Sequence, residues 1–285
     1  MAATYNNLYL DARRTLKAAG SDNPQLEAQE LLCFAAEKGR QELLRDMAFY
    51  ASAPVTERFE GLLKRRLAGE PVAYLIGEWE FYGMTLDISP DVLVPRDDTE
   101  ILARQAIERT SACPGEPRVL DLCAGSGCVG LAIAKHCPNA QVLLGDVSEA
   151  ALRVCRQNAR RHNLTARASA CQLDALEKPG AALWDFDVIA ANPPYIPTED
   201  LAGLEVAKFE PHLALDGGVD GLDFYRAITE KWTGSLRSGG WLLCEVGVGQ
   251  VGKVEELFAK AGLDEIKSYQ DTGEIWRVVE GRLKA

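Results

Sequence analysis

The sequence predicts an α/β protein: a doubly wound, mostly parallel sheet, preceded by a small helical bundle and a linking β-hairpin. Three observations carry this. From Pro117 onward, short β-branched apolar runs alternate with amphipathic helical stretches, the pattern of a parallel sheet covered on both faces. Before about residue 75 the apolar residues recur at helical spacing instead. Between the two, residues 78–82 and 84–88 flank Gly83 as two strand-like runs around a turn. At 285 residues the chain is long enough for one large domain or two modest ones. We place a helical domain at 1–75, the hairpin linker at 76–94 and the α/β domain at 95–285.

Taken in order, Leu8, Ala12, Leu16 and Ala19 share one helical face that Gly20 ends. Asn23 and Pro24 offer an N-cap and a first-turn proline to a helix carrying Leu26, Glu30, Leu31, Cys33 and Phe34. A short helix over 41–47 follows. A longer one over about 56–68 has Phe59, Leu62, Leu63 and Leu67 inward and closes at Gly69. The segment 94–100 leads into a helix through Ile107. Beyond it, strands are expected at 118–122, 141–146, 168–173, 188–191, 240–246 and 274–280, with helices at 129–135, 149–161, 221–232 and 249–261.

Composition narrows the function. Hydrophobic content of 47% and charged content of 26% are those of a soluble globular protein, and no apolar run has the length of a membrane span. The start, Met1 to Tyr5, lacks a basic and an apolar region and reads as no secretion signal. A net charge of −11 argues against a broad nucleic-acid-binding face. The basic runs 64–66 and 160–162 read as solvated helix faces or helix C-termini. The eight cysteines include no Cys-x-x-Cys pair, six of them (Cys33, Cys123, Cys128, Cys155, Cys171 and Cys244) lie in apolar segments, and the three histidines are scattered. Free thiols in a reducing cytoplasm fit this better than a disulfide scaffold or a zinc site, and no metal is expected.

The most telling stretch is Asn192-Pro193-Pro194-Tyr195 at the end of the apolar run 186–191. Proline has no amide donor, so the strand must stop there. Ligands in open α/β sheets bind at the carboxyl ends of strands. A rigid polar loop in that place suits holding a planar NH2 group. The Asn192 side-chain oxygen and the Pro193 carbonyl are two acceptors for its hydrogens, and Tyr195 packs against the reacting group or supports the loop. A carboxamide nitrogen is a poor nucleophile because its lone pair is delocalised. Two aimed acceptors favour its pyramidalisation, and the alkylated amide then loses its proton without a dedicated histidine.

Gly125-Ser126-Gly127-Cys128-Val129-Gly130 follows the first strand and opens a helix, where backbone amides approach a ligand closely. Its spacing matches G-x-G-x-x-G, and Asp146 ends the second strand where a ribose-binding acid belongs. These two features fit a nicotinamide enzyme as well as an S-adenosylmethionine (AdoMet) enzyme. Asp121, four residues before Gly125, shifts the balance: a carboxylate there can meet the AdoMet ammonium but is a poor neighbour for a pyrophosphate. Asp174 follows the third strand, either as an acceptor near an adenine amino group or as a turn cap.

The combination resembles the class I AdoMet-dependent methyltransferases, whose Rossmann-like domain has a seven-stranded doubly wound sheet. With residues 69–77, 94–100, 119–127, 192–195 and 211–218 included, the resemblance narrows to the HemK/PrmC family of peptide chain release factor N5-glutamine methyltransferases. It implies that Asp121, Cys123, Ala124, Gly125, Ser126 and Gly127 contact AdoMet, Asp146 its ribose, Asp174 and Ala175 its adenine region, with Asn192 adjoining. It implies that Asn192, Pro193, Pro194 and Tyr195 hold the substrate glutamine, with Asn192, Pro193 and Tyr195 acting in catalysis. S-adenosylhomocysteine is the expected product. The expected partner is a class 1 release factor presenting its Gly-Gly-Gln loop, in the cytoplasm, with neither membrane nor direct nucleic-acid binding. Three departures stand out. Cys123 replaces a common Gly, which suits a backbone that needs no positive φ. Asp97 replaces a common Pro, and Ala175 a frequent aromatic, so adenine stacking is weaker or supplied elsewhere. Asp271, Gly273 and Arg277 fit the C-terminal pattern.

Weaker marks remain. Trp79, Phe81 and Tyr82 read as a packed hairpin face or a recognition surface. Arg96 and Glu100 either line the cofactor site or pair structurally. His212 reads as a loop or packing residue, and Glu245 as a cap of the sheet. The rival activity is adenine-N6 methylation of nucleic acid, since an exocyclic NH2 resembles a carboxamide; a non-catalytic nucleotide-binding module on the same scaffold is a further alternative. The acidic charge and the helical N-terminus favour glutamine.

Overall fold

Helical spacing in the N-terminal region produces five α-helices in the computed structural model, which describes residues 3–284. They are α1 (Tyr5–Ala18), α2 (Pro24–Ala36), α3 (Arg40–Asp46), α4 (Ala53–Leu67) and α5 (Val72–Ile76). The chain divides between Glu78 and Trp79 into two units. In the first, Thr4 caps α1 by accepting from the Asn7 amide at 3.2 Å, and the helix buries Tyr5, Leu8, Ala12 and Leu16 on one stripe. Ala19 does not join that stripe: the helix ends at Ala18, and Ala19 is an exposed C-cap. Helix α2 supplies the fully buried Ala28, Leu31 and Leu32 and packs against α1 and α4. Arg66 of α4 grips Glu27 of α2 through two bonds of 2.8 and 2.9 Å. Phe59 and Leu62 of α4 are buried, whereas Leu67 in its last turn is exposed, contrary to expectation. Helix α5 escapes the sequence pattern because five residues hold too little periodicity.

The second unit opens one residue into the hairpin of β1 (Glu78–Phe81) and β2 (Met84–Asp87), whose Phe81, Met84 and Leu86 face inward and are buried. Helix α6 (Thr99–Ser111) precedes the alternating series β3 (Arg118–Leu122), α7 (Cys128–His136), β4 (Gln141–Asp146), α8 (Glu149–Arg161), β5 (Ala168–Gln172) and β6 (Phe186–Ala191). After the short α9 (Thr198–Leu201) come α10 (Asp223–Lys231), β7 (Leu236–Glu245), α11 (Val251–Lys260), β8 (Leu263–Gln270) and β9 (Trp276–Leu283). The seven strands lie in the order β5-β4-β3-β6-β7-β9-β8. All pairings are parallel up to β7; β9 runs antiparallel to β7 and β8. The seven-stranded doubly wound sheet is thus present. Strand β8 is hidden in the sequence because a bulge between Asp264 and Lys267, with Glu265 at φ 49, breaks the two-residue alternation. The fully buried Asn158 of α8 exchanges bonds with the Asp87 backbone at 2.6 and 3.1 Å and donates to the Ser126 carbonyl at 3.0 Å. One side chain so fastens the hairpin and the first strand-to-helix turn to the same helix.

All eight cysteines are free, and Cys171, in edge strand β5, is exposed rather than packed. Among the described residues no helix is long and apolar enough to cross a membrane.

Candidate active site

The sheet register decides where the chemistry sits. Leu122 pairs with Gly145 on one side and Ala191 on the other, and Ala191 pairs with Cys244. One step further along each strand stand Asp146, Cys123, Asn192 and Glu245, a single row at the carboxyl ends of β4, β3, β6 and β7. The chain winds outward from β3 to β5 and then crosses to β6, so β3 and β6 flank the topological switch point. A cavity of about 180 Å³ opens there.

The turn from β3 to α7 forms one wall. Asp121 is 1% exposed, and its Oδ2 accepts the Gly130 amide at 2.7 Å. A Cβ at Gly130 would lie 2.2 Å from a Leu144 methyl and 2.9 Å from Asp121 Oδ2, so only glycine lets α7 close onto this carboxyl. The third glycine of the run serves helix–strand packing, and a buried acid forms the floor of the turn. That arrangement disfavours a pyrophosphate and suits a cationic ligand. Cys123 adopts φ 66, so the expectation of a negative φ is wrong here: the backbone takes the glycine conformation with a cysteine in place. Replacing it should relieve strain. Cys123→Gly is expected to stabilise the protein by about 1 kcal/mol, read from its urea midpoint; a lowered midpoint would show that the strain is already compensated by thiol packing.

Asp146 turns back on the same loop. Its Oδ2 accepts from the Gly125 amide at 2.8 Å and its Oδ1 from Ser148 at 2.9 Å, the Val147 amide adds to them, and part of the carboxylate's acceptor capacity is left. Burial pushes its pKa up, against the lowering effect of those amides. Asp174 makes the turn bond expected of a cap, Oδ1 accepting from Leu176 at 2.8 Å, and it also lines the cavity. Ala175 is buried, and its carbonyl accepts from Trp232 Nε1 at 3.0 Å. The Trp232 ring is buried and does not line the cavity, whose apolar wall includes Leu173, Leu176 and Phe224.

The Asn192 loop forms the opposite wall. Asn192 and Pro194 line the cavity, as do Asp121, Cys123, Ala124, Gly125, Ser126, Asp146, Asp174 and Ala175. Gly127, Pro193 and Tyr195 are not part of its lining. Asn192 Nδ2 donates to Thr99 Oγ1 at 3.2 Å. Gln250 clamps the loop from behind, donating to the Tyr195 carbonyl at 2.9 Å. A Cβ at Gly217 would come within 2.7 Å of Tyr195 Cα, so glycine there lets the 211–218 segment lie flat on the loop. Burial raises the Tyr195 phenol, which therefore stays protonated at neutral pH.

Of the weaker marks, Arg96 does both things expected of it, lining the cavity and pairing with Glu210. Glu100 is structural: it accepts the Tyr82 amide at 2.8 Å. Sequence reasoning gave no site role to Val92, Leu93 and Phe224, nor to Thr99, Pro211, Leu213 and Ala214, whose segments 94–100 and 211–218 entered only through the family resemblance; all of them line the cavity. It also read Glu245 as a cap of the sheet, whereas this side chain is buried beside Thr99 and Asn192.

Two carboxyls here titrate near neutrality: burial lifts Asp121 to about 7 and Glu245 to about 7. Unfolded, both lose their protons near pH 4. The folded chain therefore holds protons that the unfolded chain has released, so this contribution to stability is complete below pH 4 and is lost as the pH climbs to 7. Asp121→Asn is expected to flatten that decline, measured as urea midpoints at pH 5 and 8; a variant that declines as steeply as the wild type would contradict the raised Asp121.

A doubly wound seven-stranded sheet with an acid-floored glycine turn and an Asn-Pro-Pro-Tyr loop at its switch point defines a class I methyltransferase. The sequence matches the models of the PrmC N-terminal domain over residues 7–77 and of the methyltransferase small domain over 98–208. The release factor glutamine methyltransferase of Geobacter sulfurreducens is 39% identical, covering 95% of this chain and 94% of its own. That of Caulobacter vibrioides is 36% identical over 99% and 97%. A methyltransferase from Pyrococcus furiosus shares the fold, with a TM-score of 0.51 at 17% identity over 79% of this chain and 98% of that one. The chain belongs to the release factor glutamine methyltransferase family.

Proposed function

We propose that this enzyme transfers a methyl group from AdoMet to the side-chain nitrogen (N5) of the glutamine in the Gly-Gly-Gln loop of class 1 peptide chain release factors, releasing S-adenosylhomocysteine. The observation that carries this reading is the cavity at the strand ends: Asp121 of β3 and Asp146 of β4, acids suited to the donor, line it together with the carboxamide of Asn192 that follows β6. The names of the relatives support the choice of substrate.

The residues present fit AdoMet. Asp121 has one amide partner and a cavity-facing position for an ammonium, Asp146 keeps lone pairs for a ribose diol, and the buried Ser126 hydroxyl has no hydrogen-bond partner. Bound there, AdoMet supplies a sulfonium-activated methyl group. Asp174 and Ala175 border the adenine end. At the other end, Asn192 Oδ1 and the Pro193 carbonyl accept the two amide hydrogens of the substrate glutamine, which favours a pyramidal nitrogen and directs its lone pair at the methyl carbon. Pro194 stiffens the loop, and the neutral Tyr195 supports it. Alignment of the two reactants supplies about 7–11 kcal/mol of the barrier. The methylated nitrogen is strongly acidic and gives its proton to water.

The helical unit recognises the release factor, the 76–94 hairpin links it to the catalytic domain, and the enzyme works in the cytoplasm. The deciding experiment is incubation with labelled AdoMet and a purified release factor, followed by mapping of the modified residue. A single methylated glutamine is expected; label on adenine of added nucleic acid, with none on the factor, would favour the rival activity.

A further inference from the structure

Glu245 ends the row of strand ends next to Asn192, because Ala191 and Cys244 are paired. It is 2% exposed. Thr99, the first residue of α6, and Asn192 are the hydrogen-bonding side chains that face its carboxyl, and its Oε2 is left without a partner. Asn192 Nδ2 is turned to this side, donating to Thr99 Oγ1 at 3.2 Å. A carboxylate only accepts hydrogen bonds. Beside it, the Asn192 carboxamide has one favourable orientation: NH2 toward Glu245 and Thr99, oxygen toward the cavity that Asn192 lines. The flipped carboxamide would set two oxygens against each other in a buried place.

We propose that Glu245 is a positioning residue for the methyl transfer: together with Thr99 it locks the Asn192 carboxamide so that its oxygen, polarised by the charge behind it, faces the substrate amide. This rests on the reading of Asn192 as the group that holds the glutamine. The charge acts in the right direction, since a hydrogen-bond chain ending in an anion strengthens the acceptor at its far end. The substrate nitrogen turns positive as it is methylated, so the gain is larger in the transition state than in the ground state.

The surroundings make the lock sensitive to pH. Asp98 and Arg277 flank Glu245, with Arg277 bonded to Asp98 at 2.9 Å and to Asp271 at 2.8 Å. Tyr195, Tyr225 and Cys128 face it from the other packed elements, all of them with pKa values raised by burial. Asp98 and burial oppose ionisation of Glu245, while Arg277, Thr99 and Asn192 favour it, and burial is the largest effect. Below neutrality the protonated carboxyl becomes a donor and no longer dictates the orientation of Asn192.

The test compares wild type, Glu245→Gln and Thr99→Val at saturating AdoMet and release factor from pH 5.5 to 9, with AdoMet affinity measured by calorimetry. Wild-type kcat is expected to fall on a one-proton limb below about pH 7. Glu245→Gln should lose about thirtyfold in kcat at pH 8, keep its AdoMet affinity and lose the acid limb; Thr99→Val should lower kcat in the same sense. A Glu245→Gln enzyme with wild-type kcat, or with a lowered kcat and the limb intact, overturns the proposal. A second measurement needs no variant that folds: in wild type labelled with 15N at asparagine, the Asn192 side-chain resonance should titrate with a midpoint near 7, and a resonance that does not move overturns it. If wild type methylates no glutamine, the functional reading fails, while this titration still decides the coupling of Glu245 to Asn192.

Discussion

Asn192→Ala is expected to lower methyl transfer to the release factor by about a thousandfold, equivalent to about 4 kcal/mol in the barrier. Two effects combine. The aimed acceptor for one amide hydrogen disappears, and the substrate nitrogen loses the constraint that keeps its lone pair on the methyl carbon. The fold should survive, because the loop around Asn192 is held independently of its side chain by Gln250 and by the 211–218 segment. AdoMet affinity should change less than tenfold, since Asp121 on β3 and Asp146 on β4 are untouched. Single-turnover rates together with calorimetry separate the two. Turnover within tenfold of wild type would remove Asn192 from the chemistry.

Asp146→Ala is expected to weaken AdoMet binding by about a hundredfold, or about 2.7 kcal/mol. Its carboxylate holds the Gly125 and Ser148 amides, and under the proposed reading it also meets the ribose hydroxyls. Removal costs charge-assisted bonds to the ligand and loosens the glycine turn that the ligand rests on. Calorimetric titration of the folded variant with AdoMet reads the change directly. An unaltered dissociation constant would refute the ribose assignment. At saturating AdoMet the rate of transfer should recover much of its wild-type value, which distinguishes this variant from Asn192→Ala.

Much of this molecule is legible in its sequence where local physics is strong. Strand 118–122 and helix 149–161 match the expected limits, because period and turn signals agree there. Strand β8 was not legible, since its bulge cancels the alternation, and α5 is too short to show a period. Leu67 and Ala19 were misjudged inward because both sit in a final turn or cap, where helical phase continues on paper after the packing partner has ended.

The site divides in the same way. Asp121, the Gly125–Gly127 turn, Asp146 and Asn192-Pro193-Pro194-Tyr195 each lie at or just beyond the carboxyl end of a strand and carry a local signature, so the reaction class could be read from sequence alone. Phe224 carries no such signature, and Thr99 and Leu213 lie in segments that pointed to the family but to no contact; they reach the cavity because α6, α10 and the 211–214 turn border it. The positive φ of Cys123 is set by the tight exit from β3, not by any preference of cysteine. Glu245 shows the difference best. In the sequence it is one acid at the end of an apolar run. Strand register sets it beside Asn192, and burial holds its carboxyl near neutrality. The chain by itself determined which chemical groups are present and on which strand ends; only the tertiary structure decided which of them touch, because neighbourhood across a sheet and exclusion of water are properties of the packed sheet and not of any segment of it.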